Sequence, residues 1–144
     1  MSFEPNAINV IPSRAIFTVD LRNPDERCLQ AEEAALASYL EELAAAEDVT
    51  ISLERLVRTE PVTFDRTIVH LIEDAAHKRG LASKRMTSGA GHDAQMIARI
   101  APSAMIFVPS IGGISHNPRE YTPDADLITG AIILLDVVTR LAAQ

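Results

Sequence analysis

Two glycine-containing segments hold the residues of this sequence whose types and spacing could do chemistry. The first, Ser88-Gly89-Ala90-Gly91-His92-Asp93, sets a flexible turn directly before a helical pattern. Amide groups at a helix start lack partners inside the helix and, with the helix dipole, favour a bound anion or a developing oxyanion. A neutral imidazole at His92 would donate one hydrogen bond to a polarised carbonyl. No Gly-Lys-Ser/Thr follows, so the segment is a poor phosphate loop. A tight turn in which Asp93 steadies the first helical turn explains it slightly better on the residues alone. The second segment, Ser110 to Tyr121, leaves the C-terminal end of an apolar run, where open α/β sheets place their sites. Its His116 is a candidate metal ligand, but a catalytic zinc centre takes three protein ligands and no others stand at obvious spacing. A hydrogen-bonded loop histidine is the plainer alternative.

Other constellations carry less. His70, Glu73, Asp74 and His77 recur at helical spacing and could imitate a ligand cluster, yet a solvated polar face has the same pattern. Ser88, His92 and Asp93 are nearly adjacent at a helix start, where side chains diverge, so they make a poor nucleophilic triad. Arg22 ends a strand pattern and could clamp a carboxylate through two parallel hydrogen bonds, or it is an ordinary ion-paired surface arginine. Cys28, the only cysteine, falls in a helical pattern and is expected to be a buried or half-buried small residue rather than a nucleophile.

The elements that must position these residues alternate between strand and helix. Ala15–Arg22 predicts a strand with Phe17, Val19 and Leu21 on one face. Asn23 is the expected N-cap, with Pro24 at the first position, of a helix over Asp25–Glu47. Its apolar stripe is Leu29, Leu36, Leu40 and Leu43, and Glu32, Glu41 and Glu42 face solvent. Val49–Val57 begins as an alternating strand that Pro61 ends. Asp65 caps a helix to Arg79 closed by Gly80. A short strand at Lys84–Thr87, a helix at His92–Ile100, an apolar strand at Ala104–Val108 covered on both faces, and a helix at Asp124–Ala142 complete the chain. The order reads as two α/β pieces joined near Thr59–Phe64.

Bulk properties narrow the class. The 144 residues, 47% hydrophobic and 23% charged, suit a folded domain rather than a disordered chain. A net charge of −7 without a basic run argues against nucleic acid and anionic membrane partners. Four Phe, two Tyr and no Trp offer no platform for stacking bases. One cysteine excludes an internal disulfide framework, and no apolar run is long enough for a bilayer. No leader pattern opens the chain, so a cytoplasmic protein is expected.

Pro5-Asn6-Ala7-Ile8-Asn9-Val10-Ile11-Pro12, then Asp20-Leu21-Arg22, resembles the inserted lid of the hydantoinase/carbamoylase amidases, a family that includes N-carbamoyl-L-amino-acid hydrolases, allantoate amidohydrolases and β-ureidopropionases. Ser88-Gly89-Ala90-Gly91-His92-Asp93-Ala94 and Gly113-Ile114-Ser115-His116-Asn117-Pro118 resemble the closing half of their catalytic domain. The resemblance implies an α/β fold, with a partial lid (dimerisation) domain over 1–62 and the C-terminal part of a zinc-peptidase-like catalytic domain over 63–144. It implies hydrolysis of an N-carbamoyl or related linear amide by a metal-activated water, with zinc or manganese as the divalent metal. His116 corresponds to the last ligand of a two-metal centre. His92 corresponds to the catalytic histidine that contacts substrate, and Asn9 and Arg22 to lid residues holding the substrate carboxylate. The family's other ligands and its catalytic glutamate precede the lid. The expectation is therefore a fragment, a truncated gene product or one half of a split enzyme, inactive alone, pairing as a homo-oligomer through the lid and completed by an N-terminal half. The alternative is a non-catalytic remnant that keeps the lid for self-association.

Overall fold

The computed structural model describes residues 1–143, and they fall into two compact units, Met1–Pro61 and Val62–Gln144. In the first, β1 (Ser2–Glu4) and β2 (Arg14–Ile16) pair antiparallel, with Phe3 opposite Ala15. The Ser13 amide and hydroxyl both donate to the Glu4 carbonyl, at 2.8 and 3.0 Å, and close the hairpin. The long helix α1 spans Glu26–Ala46. Its N-cap is Asp25, not the expected Asn23: the Asp25 carboxylate accepts from the Cys28 amide at 2.9 Å. The Asn23 side chain instead accepts from the Asp25 amide and donates to Glu32, both at 2.9 Å. A cap oxygen must reach the third amide of the helix, and Asp25 is the residue spaced to do so. Leu29 is buried, with Leu36, Leu40 and Leu43 half-buried beside it, as the stripe predicts. Ile51 and Leu53 line a groove with Ala37, Leu40 and Ala44 of α1.

Three ion pairs tie the segment after α1 back to it. The Arg58 guanidinium, 18% exposed, donates to both Glu26 oxygens at 2.6 and 3.0 Å and to Glu33 at 3.1 Å, and Arg55 stands 3.5 Å from Glu33. Arginine's planar fork suits this two-carboxylate arrangement.

In the second unit, α2 (Arg66–Lys78) packs on α4 (Asp124–Ala142), burying Leu71 and Ala76 against Ile133 and Val137. Asp65 caps α2 through the Ile68 amide at 2.9 Å. At its other end Gly80 adopts φ +68°, its amide bonding His77 and the Leu81 amide bonding Ala76. Those two bonds satisfy last-turn carbonyls that the helix leaves open. Arg79 clamps Asp136 of α4 through two bonds of 2.6 and 2.9 Å. The short helix α3 covers Asp93–Ile97, and a single 3-10 turn covers Ile111–Gly113.

Several expectations are corrected. Among the described residues β1 and β2 form the only sheet. Ala15–Arg22 contributes only its first two residues to it, and Phe17, Val19 and Leu21 are exposed rather than sharing a buried face. Val49–Val57, Lys84–Thr87 and Ala104–Val108 join no ladder, and Ala104–Val108 is half-buried with Phe107 exposed. β-branched and apolar residues favour an extended backbone, but a strand exists only where a neighbour accepts its hydrogen bonds. Helix α3 stops at Ile97 rather than Ile100. Cys28 is exposed, not buried, because it lies off the Leu29–Leu36–Leu40–Leu43 stripe.

Candidate functional site

The candidate residues fall on both units: Asn9 and Arg22 in the first, His92 and His116 in the second. Asn9 sits exposed in the turn of the β1–β2 connection. Arg22 follows that hairpin and is half exposed. Its Nε and Nη2 donate to the two Asp20 carboxylate oxygens at 2.8 and 2.6 Å. The hydrogen bonds and charge of Arg22 hold the Asp20 carboxyl below its ordinary value. Asp20 thus occupies the Nε edge of the guanidinium.

His92 is the N-cap of α3, with an extended backbone at φ −146°, ψ 150°. Its Nδ1 accepts from the Ala94 amide at 3.0 Å. A ring nitrogen that accepts carries no proton, so the neutral tautomer bears its hydrogen on Nε2. The imidazole is exposed, and Nε2 is a hydrogen-bond donor fixed in direction by the cap. The anion cradle suggested by the glycines is weaker than the sequence implies, because α3 is only five residues long and the Ala94 amide is taken by His92. Among the described residues Ser88 bonds Ala90, donating at 3.2 Å and accepting at 3.3 Å, and no hydrogen bond joins it to His92 or Asp93.

His116 lies in the loop after the 3-10 turn, with its backbone in the left-handed region at φ +54°. Its amide donates to Glu120 Oε2 at 2.7 Å, and its side chain is exposed. Among the described residues no hydrogen bond joins His116 to His92. The polar face of α2 is an ion-pair face: Arg85 clamps Glu73 at 2.5 and 2.6 Å and donates to His70 Nδ1 at 3.1 Å. Arg85 thereby holds Glu73 below the usual carboxylate range.

As a test of a resident metal, the His116 imidazole is a donor that zinc or manganese accepts. Among the described residues no group of three or more His, Cys, Asp or Glu side chains is arranged to hold an ion. The described residues thus offer single histidine donors and no assembled metal centre. Two acids that bond candidate residues were not singled out as their partners in the sequence, Asp20 beside Arg22 and Glu120 beside His116. Their signal was spacing: an acid two residues before Arg22, and one four residues after His116 across a proline.

Residues 4–140 match the family described as Peptidase family M20/M25/M40. Similar proteins include the allantoate amidohydrolase of Bacillus subtilis, 37% identical over 139 residues, covering 96% of this chain and 34% of that protein. The N-carbamoyl-L-amino-acid amidohydrolase of Rhizobium meliloti is 37% identical over 142 residues, covering 99% of this chain and 34% of its own. A solved amidase of the hydantoinase/carbamoylase family from Burkholderia vietnamiensis superposes with a TM-score of 0.85 at 40% identity, over 94% of this chain and 33% of that one. The chain thus spans about a third of the length of these relatives. No helix among the described residues is long and apolar enough to cross a membrane.

Proposed function

The chain belongs to peptidase family M20/M25/M40, and on that premise we propose that it is the closing part of an amidohydrolase that cleaves C–N bonds outside peptides, in N-carbamoyl amino acids or a related linear amide. Similarity to allantoate and N-carbamoyl-amino-acid amidohydrolases along almost the whole chain supports this reading. In it, residues 1–62 are part of a lid and residues 63–144 part of a catalytic domain.

The observation that carries the chemistry is the hydrogen bond from the Ala94 amide to His92 Nδ1. It leaves Nε2–H to donate to the scissile carbonyl oxygen, where negative charge develops as water adds. A donor already oriented needs no reorganisation at that moment. Arg22, steered by Asp20, and Asn9 hold the substrate carboxylate. His116 provides one nitrogen to a divalent ion, which when bound activates water and polarises the carbonyl. The remaining ligands and the general base belong to residues other than these.

A second reading, a self-association module, is favoured by the apolar surface of the first unit. Ile8, Ile11, Leu56 and Val57 are all exposed, and the two-stranded sheet of the same unit has open edges among the described residues. Pairing as a homodimer through residues 1–62 is compatible with both readings.

The test is an ammonia-release assay with N-carbamoyl amino acids and allantoate, on this chain alone and with the preceding two-thirds of the Bacillus subtilis relative supplied in trans. We expect no turnover and no tight stoichiometric zinc with the chain alone. Hydrolysis should appear on complementation and vanish in His92→Ala. Complementation that restores turnover equally well with His92→Ala would overturn the reading. Sedimentation over a concentration range tests the dimer.

A further inference from the structure

His116 and Asp48 are the non-glycine residues with positive φ among those described. For a residue bearing a Cβ the left-handed region is disfavoured, and it persists only where the surroundings impose it. The Asp48 case is ordinary, since it is the closing residue of α1, with the Val49 amide bonding the Ala44 carbonyl. His116 closes no helix. Its conformation is fixed by a small turn: Glu120 Oε2 accepts from the His116 amide at 2.7 Å, Asn117 Oδ1 accepts from the Arg119 amide at 3.0 Å, and the Asn117 carbonyl accepts from the Glu120 amide at 2.8 Å. Pro118 keeps Asn117 out of the helical region and brings no amide of its own.

Gly112 and Gly113 stand nearby at φ +67° and +66°. At those positions glycine adopts the conformation without a Cβ penalty. At 116 the conformation is instead held on a histidine, with a charged acceptor on its amide. We propose that Glu120 is a positioning residue, acting through the His116 backbone to aim the imidazole out of the loop. This rests on the reading of His116 as a functional ligand, but is measured separately from it.

The experiment uses this chain labelled with nitrogen-15. The His116 amide should exchange slowly for an exposed loop and show the three-bond coupling of a left-handed residue. Glu120→Ala should speed that exchange by roughly tenfold, as expected for loss of a charge-assisted hydrogen bond, and shift the coupling away from its left-handed value. Glu120→Gln, which keeps an acceptor oxygen at the same reach, should restore both. The amides of α2 and α4 should be unchanged in either variant. Unchanged exchange and coupling in Glu120→Ala, or failure of Glu120→Gln to differ from it, overturns the proposal. Zinc added to the complemented enzyme, in which the other ligands are supplied, and followed at the His116 ring protons, tests the ligand reading alone. Lack of a ring response removes that reading while leaving the Glu120 result standing.

Discussion

Gly130, in the middle of α4, lies so close to Val108 that a Cβ added to it would sit 2.5 Å from Val108 Cγ1. That approach presses the 104–108 segment onto the helix without any sheet hydrogen bond. A second tie, the Asp65 amide donating to the Ser103 carbonyl at 2.9 Å, brings the start of α2 to the same segment.

Gly130→Ala is therefore expected to destabilise the second unit, although alanine is the better helix former. Helix propensity favours alanine by about 1 kcal/mol, whereas overpacking against a stiff β-branched neighbour costs about 1–3 kcal/mol. The clash should win. Urea denaturation of Gly130→Ala, Val108→Ala and the double variant checks it: Val108→Ala should relieve the loss, giving strong non-additivity.

The Arg58 network predicts a particular acid sensitivity of the first unit. Hydrogen bonds from Arg58 hold the Glu26 carboxyl below its ordinary value of 4.5. A depressed folded-state value means that the stabilisation is present above the unfolded value and is lost as pH falls through the folded one. Wild-type stability should fall below about pH 4.5, and Arg58→Ala should be less stable at neutral pH but flatter in that window. Equal slopes for both proteins would show that Glu26 titrates without regard to Arg58.

Cys28 is exposed, yet it should react slowly. The nearby Asp25 carboxylate raises its thiol above the usual value, chiefly by charge, and the thiolate is the reactive form. Alkylation at pH 8 should be slower than for a free cysteine peptide. Asp25→Asn keeps an acceptor for the helix cap and removes the charge, so it should speed the reaction without unfolding α1, as followed by circular dichroism.

For the carboxylate clamp, Arg22→Ala in the complemented enzyme should raise KM for substrates bearing a carboxylate by roughly tenfold or more, from loss of a charge-assisted pair. Arg22→Lys should recover part of this, since an ammonium keeps the charge but not the fork. Asp20→Asn should fall between wild type and Arg22→Ala, because it loosens the orientation of Arg22 and keeps the cation. Unchanged KM in all three would place Arg22 away from substrate.

The sequence by itself determined that the four helices exist and where α2 and α4 begin and end. Asp65 and Gly80 mark α2 because capping and left-handed closure depend on residues within a few positions of one another. The leucine stripe of α1 follows from the helical period alone. His92 before a helix and His116 in a Gly/Pro-rich loop were legible for the same local reason. What only the tertiary structure decided were the non-local facts. Val49–Val57 and Ala104–Val108 carry strand-like residues but join no sheet, since a ladder depends on a neighbour that strand propensity does not specify. The partners of Arg58, Arg79 and Arg85 lie 12 to 57 residues away, beyond any periodicity. Asp20 and Glu120 are close in sequence to the residues they steer, yet their roles depend on backbone turns at Arg22 and His116. Side-chain direction there is set by the fold around it, which spacing alone does not encode.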